Sequence, residues 1–187
     1  MTSQRGFTLV ELLITVAIFG VLAAIGIGVT TTIVRMTRGE TGAQQLDAFL
    51  KRNREMATAR RRDIEIWFLE PNQVESRVRA VPDPPAATPA PTVLERISFE
   101  GGIEFRAFPG LPDTPNAFGN ATEINLNGAT PVLFSSEGSF LDAANNPINA
   151  TLLLGIEGDP LSATAVTILG ASAGIERWRW NGATWTK

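Results

Sequence analysis

The chain has 187 residues and a formal net charge of −3 at pH 7, which allows one globular domain plus an additional element and gives no bulk attraction to nucleic acid. Cysteine, histidine and tyrosine are absent, which excludes disulfides, thiolate metal sites and histidine-based catalysis or metal binding. No cluster of acidic residues stands out, so we expect neither an enzyme nor a cofactor or metal site.

The first predicted element is a long apolar helix. Residues 7–34 carry one charged side chain, Glu11, and residues 12–29 carry none. A helix crosses the hydrocarbon core of a bilayer with about 20 such residues. A secretory signal peptide has a shorter apolar core and a small-residue cleavage site, which this segment does not match. We therefore expect residues 7–34 to span the membrane once. The short head before them is too small to be a domain and is expected in the cytoplasm.

Residues 35–62 are predicted to continue this helix as an amphipathic half. Ala43, Leu46, Phe49 and Leu50 recur at helical spacing, and Met56 and Ala57 extend the stripe. We expect the stripe to pack on the folded domain. The end of this half, KRNREMATARRR at 51–62, is strongly basic. Such a run can bind phosphate, form a solvated helix face or oppose acidic neighbours in an assembly.

Residues 63–187 are predicted to form a β-rich domain outside the cytoplasm. In this region apolar residues recur at every second position instead of at helical spacing, as in Ile64, Ile66 and Phe68 or in Val74 and Val78. This alternation predicts half-buried strands, with Glu75 on the face that points to solvent. A proline-rich loop at 82–91 and an irregular stretch at 109–123 interrupt the pattern. The segments with strand character are 63–70, 74–80, 92–99, 103–108, 130–134, 150–157, 165–170 and 174–180. One helix followed by short strands predicts an α+β fold in which antiparallel sheets pack on the helix.

Glu11 needs an explanation because a carboxylate in a membrane helix costs roughly 2.5 kcal/mol or more. Its place near the helix start softens that cost, but the chain offers no positive partner nearby. A cut after Gly6 would give Phe7 a free amine one turn away. A neighbouring copy would offer the same amine to Glu11.

The segment RGFTLVELLITVAIFGVLAAI, residues 5–25, resembles the amino terminus of type IV pilins and type II secretion pseudopilins. The shared pattern is a polar leader ending in Arg-Gly, then Phe-Thr-Leu-x-Glu-Leu-Leu, then an apolar helix. The resemblance implies a pilin-like fold. It also implies that prepilin peptidase cuts between Gly6 and Phe7, removes the leader 1–6 and methylates Phe7. Glu11 would then attract the terminal amine of an adjacent subunit and set the axial register of a filament built with other pilins or pseudopilins.

A second resemblance lies in the β-rich half. VLFSSEGSF at 132–140 and AVTILGASAGIERWRWNG at 165–182 are similar to the end of the group that joins the minor pseudopilin H (GspH) of type II secretion with the FimT and FimU minor pilins. This implies a minor pilin or pseudopilin that is held in the inner membrane with a periplasmic domain. It would then join or prime a short filament in the periplasm or at the cell surface.

The last predicted strand, GIERWRW, supports a competing function. Alternation places Arg177 and Arg179 on one face and Glu176, Trp178 and Trp180 on the other. Exposed arginines beside tryptophan can bind the DNA backbone or stack on bases. The strand resembles that of FimT-type pilins of some competent bacteria, which use a carboxy-terminal Gly-Arg-x-Arg motif to take up DNA. In this chain Ile175 and Glu176 stand between Gly174 and the first arginine. The alternative for this strand is a closing hairpin whose tryptophans pack inward while its arginines face water. For the whole chain, a further alternative is a membrane-anchored enzyme, which predicts a pocket with convergent carboxylates.

Overall fold

In the computed structural model, the chain forms one long helix followed by short strands. The structure describes residues 8–79 and 92–187, and for residues 25–33 and 35 it describes the backbone alone. The predicted leader 1–6, the residues Gly6 and Phe7 and the proline-rich loop 82–91 lie outside the described residues. The chain divides into two compact units, Met1–Arg35 and Met36–Lys187.

Helix α1 comprises Leu9–Arg60. Over residues 9–24 its apolar side chains are exposed on every side, and the large ones from Leu9 to Leu22 are each more than half exposed. Within residues 8–79 and 92–187, no helix has the combination of length and hydropathy that a membrane crossing requires. The predicted membrane-spanning half, 7–34, therefore stays a prediction.

The part of α1 in the second unit buries the predicted apolar stripe. Leu46, Phe49 and Leu50 have no exposed surface, and Ala43 and Ala57 are equally enclosed. The helix also approaches the β domain very closely at one glycine. A Cβ atom on Gly39 would lie 2.2 Å from the carbonyl oxygen of Ser162. Glycine at this position lets the helix and the sheet meet backbone to backbone.

After α1, the strands of the described chain pair antiparallel and form two sheets. The first sheet has the order β3-β2-β1-β6-β7, and the second has the order β11-β10-β9-β8-β4, with β5 pairing to β8. The strands are β1 (Ile64–Leu69), β2 (Gln73–Val78), β3 (Thr92–Ser98), β4 (Ile103–Phe105), β5 (Ile124–Asn125), β6 (Val132–Phe134), β7 (Phe140–Asp142), β8 (Ala150–Ile156), β9 (Asp159–Leu169), β10 (Gly174–Trp180) and β11 (Trp185–Thr186).

The main core lies between α1 and both sheets. It joins the buried stripe of the helix to side chains such as Ile66 of β1, Phe134 of β6 and Leu154 of β8. A second, smaller core lies on the other side of β10. There Trp178, Trp180 and Trp185 pack beneath the loop that contains Phe108 and Leu111. The long irregular stretch after β4 therefore covers a sheet face.

The predicted α+β fold with antiparallel sheets on the helix is confirmed. Each segment predicted as a strand contains one, whereas β5, β7 and β11 were not predicted, and β9 begins at Asp159, well before the predicted start at 165. The prediction that Glu75 faces water is wrong, because its residue has no exposed surface. Arg77 and Arg96 lie over it on the same sheet face and bond to its carboxylate.

Candidate assembly site

The carboxylate of Glu11 is held by the residue that precedes helix α1. The backbone N–H and the hydroxyl of Thr8 each donate to Glu11 Oε2 across 2.9 Å, and the Glu11 backbone N–H donates to Thr8 Oγ1 across 3.2 Å. This reciprocal arrangement is a capping box, which satisfies backbone N–H groups that the first helical turn leaves free. Glu11 therefore stabilises the start of its own helix.

Sequence reasoning missed Thr8 as a functional partner of Glu11. The signal was present, because Thr followed three residues later by Glu, ahead of an apolar run, is the pattern of a capping box. Thr8 contributes no charge, however. Within the described part of the chain, no lysine or arginine forms an ion pair with Glu11, so its negative charge has only dipolar partners there.

The predicted pair Arg177 and Arg179 is divided by the structure. Arg177 points from β10 towards α1, where its Nη1 lies 2.9 Å from Glu40 Oε1 and its Nε lies 3.3 Å from Asp47 Oδ2. Lys51 also pairs with Asp47 across 2.9 Å. Because the guanidinium of Arg177 already holds two carboxylates, this residue ties the sheet to the helix within the second unit.

Arg179 lies on the same face of β10 but is exposed. Among the described residues it forms no ion pair with an acidic side chain. It lines an open groove of about 620 Å³ between α1 and β10, together with Glu40, Asp47 and Lys51. Every other charged side chain that lines this groove has an ion-pair partner. Among the described residues, the positive charge of Arg179 is therefore the one charge in the groove that is not paired.

The opposite face of β10 matches the closing-hairpin alternative. Trp178 and Trp180 are both less than a tenth exposed, and Trp178 Nε1 donates to Thr167 Oγ1 across 3.1 Å. Two residues before Trp178 on the same face, Glu176 accepts hydrogen bonds from Lys187 across 2.6 Å and from Asn116 across 2.9 Å. These bonds, that from Lys187 first, hold the pKa of Glu176 below its usual value. In residues 8–79 and 92–187, no group of three or more acidic side chains is placed to bind a metal ion.

These contacts and the fold define the class of protein as one with a long helix, whose first part is apolar, exposed and begins with a capped carboxylate, followed by an antiparallel β domain. Comparison with known families identifies the amino-terminal part of this helix more closely. Residues 1–27 match the family model described as the prokaryotic N-terminal methylation motif. The matched residues include Gly6, Phe7 and Glu11.

The methylation motif implies a type IV pilin-like protein that prepilin peptidase processes and that assembles with pilins. It also points to a place in the cell envelope. Comparison with curated proteins and with solved structures gave no significant match.

Proposed function

We propose that this chain is a minor pilin or minor pseudopilin of the pseudopilin H and FimT-FimU group. Prepilin peptidase cuts it between Gly6 and Phe7 and methylates Phe7. Residues 7–34 anchor it in the inner membrane until it joins, or primes, a type II secretion pseudopilus or a type IV pilus. Its role is structural rather than catalytic. The match of residues 1–27 to the methylation motif is the observation that carries the proposal.

Membrane anchoring is supported by the sequence and by the exposure of the first unit. Residues 12–29 contain no charged side chain. The large apolar side chains from Leu9 to Leu22 are exposed on all sides of α1. A helix that is apolar all round requires lipid or other helices around it. A subunit that leaves a bilayer for a filament is surrounded first by lipid and then by other helices.

Assignment to the minor group is supported by how the two carboxy-terminal segments meet. VLFSSEGSF forms β6, a turn and the start of β7, while AVTILGASAG forms the end of β9 and the turn into β10. Phe140 N–H donates to the Gly170 carbonyl across 2.9 Å, and Ser139 Oγ donates to the Ala171 carbonyl across 3.3 Å. The segments that carry the resemblance thus form one contiguous unit.

Assembly is proposed to use the charge of Glu11, and the capping box makes that charge separable from its hydrogen bonds. Glutamine also serves at the third position of a capping box. Glu11→Gln therefore keeps the acceptor for Thr8 and removes only the negative charge. Thr8→Ala does the reverse, since it removes the hydroxyl and keeps the carboxylate.

The test is to express each full-length variant with prepilin peptidase and sister pilins and to measure its amount in sheared filaments. We expect Glu11→Gln to lower incorporation at least tenfold and Thr8→Ala to lower it less than twofold. Equal, mild effects would mean that Glu11 is only a helix cap. Mass spectrometry of the mature amino terminus tests processing, and an intact Met1 or a cut away from Gly6 would overturn the proposal.

A further inference from the structure

Strand β10 has one edge that is open along most of its length. The strand comprises the seven residues Gly174–Trp180, and β9 pairs along one of its edges. On the other edge, β11 pairs with Arg179 and Trp180 alone. Among the described residues, the part of β10 before Arg179 therefore has no neighbouring strand on this side. We call this side of residues 174–178 the open edge.

The hydrogen bonds of β8 begin to show which backbone groups of β10 point to the open edge. In antiparallel strands, the N–H and C=O groups of successive residues point alternately to the two sides. The Leu153 N–H donates to the Glu123 carbonyl across 2.7 Å, and the Leu153 carbonyl accepts the Arg106 N–H across 3.0 Å. The backbone groups of Leu153 therefore face away from β9, and those of its neighbours Leu152 and Leu154 face β9.

The same alternation continues across β9 to β10. Leu152 lies opposite Val166, so Val166 bonds to β8 and the next residue, Thr167, bonds to β10. Thr167 lies opposite Glu176. Because the backbone groups of Glu176 face β9, those of Ile175 and Arg177 on either side of it point to the open edge.

The far end of β10 gives the same direction. The Arg179 carbonyl accepts a hydrogen bond from the Thr186 hydroxyl of β11 across 3.3 Å. Ile175 and Arg177 alternate in step with Arg179 and therefore face the same side. Within the described part of the chain, the backbone N–H and C=O groups of Ile175 and Arg177 make no hydrogen bond. The open edge thus offers two donors and two acceptors in the geometry of a strand.

The open edge borders the groove between α1 and β10. Ile175, Arg177 and Arg179 all line this groove. Its volume of about 620 Å³ lies within the range of about 300–1,000 Å³ that ligand clefts have. Every second side chain of a strand points to the same face. A strand that paired with the open edge would therefore direct alternate side chains into the groove.

The charge of the groove favours a carboxylate on that strand. The charged residues of its lining are the cations Lys51, Arg177, Arg179 and Lys187 and the anions Glu40, Asp47 and Glu176. Arg54, which donates to the Ala173 carbonyl just before β10 across 3.4 Å, and Glu55 beside it on α1 add one charge of each sign. Four cations against three anions leave an excess of one positive charge, which is that of Arg179.

We propose that the open edge of β10 binds an extended segment of a sister pilin, which adds a strand beside β10 and places a carboxylate at Arg179. The proposal rests on the proposed function, because a minor subunit meets other pilins when it enters a filament. Proteins usually cover or block an unpaired sheet edge. Where an edge binds a peptide, main-chain hydrogen bonds give affinity and side-chain contacts give specificity. The contact therefore selects which pilin lies beside the β domain of this chain.

Nucleic acid is the competing ligand for Arg179. A pilin segment is favoured because a nucleic-acid backbone has no alternating N–H and C=O groups to pair with those of Ile175 and Arg177. One unpaired arginine also neutralises only one phosphate, so few counterions would be released.

Hydrogen exchange at single amides gives a direct test. The native full-length chain is compared in detergent and in filaments assembled with prepilin peptidase and sister pilins, which are pulse-labelled and then dissolved. We expect the amides of Ile175 and Arg177 to exchange at least tenfold more slowly in filaments. The amides of Glu176 and Arg179 already face β9 and β11, so their exchange should change less than twofold.

Synthetic peptides test the chemistry of the added strand. Two eight-residue peptides, in which valine alternates with glutamate or with lysine, are each added at 1 mM to the full chain in detergent. We expect the acidic peptide to slow exchange of the Ile175 and Arg177 amides at least threefold and the basic peptide to have no effect. Arg179→Glu should reverse this preference. Equal effects of both peptides would refute the carboxylate contact.

A proline on the open edge tests its role in assembly. Ile175→Pro removes an N–H that points outward, and proline is tolerated on the open side of an edge strand. Ser98→Pro is the matched control, because Ser98 is exposed on β3, the edge strand of the first sheet. We expect Ile175→Pro to lower incorporation into filaments at least fivefold and Ser98→Pro to lower it less than twofold. Circular dichroism shows whether each variant is folded, and the peptide experiment needs neither.

The outcomes separate this proposal from the proposed function. Normal filaments in which the Ile175 and Arg177 amides still exchange freely would overturn the added strand alone. Failure of the native chain to enter any filament would overturn both proposals. Retardation of single-stranded DNA that Arg179→Glu abolishes, with no protection of the open edge by either peptide, would assign the groove to nucleic acid instead.

Discussion

The closest approach between helix and sheet predicts that Gly39→Ala destabilises the domain, although alanine is the better helix former. On propensity alone the substitution stabilises an exposed helix by about 1 kcal/mol. At Gly39 the new methyl group would lie 2.2 Å from the Ser162 carbonyl oxygen and 3.1 Å from its carbon. Both atoms are backbone, so no side-chain rotation relieves the clash.

The net effect follows from three terms. Restoring ordinary van der Waals separation requires a backbone shift of roughly 1 Å, and overpacking of this kind costs about 1–3 kcal/mol. The shift also weakens the hydrogen bond from Thr164 Oγ1 to the Gly39 carbonyl, now 3.3 Å long, a loss of about 1 kcal/mol. After subtracting the propensity gain, Gly39→Ala is expected to destabilise by about 2 kcal/mol, which lowers the melting temperature by about 4–8 °C for a chain of this size.

The assay is thermal unfolding of the full chain in detergent, followed by near-ultraviolet circular dichroism of the tryptophans, all of which lie in strands. Gln45→Ala is the matched control, because it makes an alanine at an exposed position of the same helix and should change stability by less than about 0.5 kcal/mol. A Gly39→Ala protein that is as stable as the native chain, or more so, would refute the close packing of α1 on Ser162.

Glu75→Gln should lower stability by about 2 kcal/mol at pH 7, because Arg77 and Arg96 lose their carboxylate partner. The loss is no larger because both arginines still reach water. Burial raises the pKa of Glu75, but its hydrogen bonds with Arg77 and Arg96 outweigh burial and hold that pKa below its ordinary value of 4.5. The contribution of Glu75 to the free energy of unfolding is therefore complete above that value and is lost as the pH falls through the folded pKa. In urea unfolding from pH 7 to 3, the difference in stability between the native chain and the variant should shrink. A difference that stays constant would contradict this. Arg177→Ala should destabilise by about 1–2 kcal/mol because it strips the carboxylates on α1 of a partner, whereas Arg179→Ala should stay within about 0.5 kcal/mol of the native chain in the same unfolding experiment. The full chain in detergent is expected not to retard duplex DNA at 50 mM salt, and a shift that Arg179→Ala abolishes would favour the DNA-binding alternative.

Local patterns were sufficient to predict most of the fold. The apolar stripe of α1 and the alternation in β1 are properties of consecutive residues, and both survive in the structure because one face of each element is buried. The short strands β5 and β11 have two residues each and owe their existence to a neighbour. Strand β11, for example, pairs with β10 through Arg179 and Trp180. No periodicity can be read from two residues, so such strands are visible only in the assembled sheet.

Burial of Glu75 shows where alternation fails in principle. Alternation correctly places Val74 and Glu75 on opposite faces of β2, but the prediction also assumed that one of these faces is exposed to solvent. Here the second face is covered by arginines that come from β2 itself and from β3, far along the chain. A charged residue can be fully enclosed in this way because its partners carry the opposite charge.

The same limit explains why sequence reasoning treated Arg177 and Arg179 as one pair. Alternation gives them the same face of β10, and nothing in GIERWRW distinguishes them. What separates them is the passage of α1 over that face, which brings Glu40 and Asp47 to Arg177 and leaves Arg179 at the open groove. Glu11 is the converse case, because both members of its capping box lie within one helical turn. Their hydrogen bonds could therefore be predicted from the three-residue spacing of Thr8 and Glu11. Hydrogen bonds made within a turn are therefore predictable from residue spacing. A partner supplied by another element, or by another subunit, has to be found from the charge that remains after the local bonds are made.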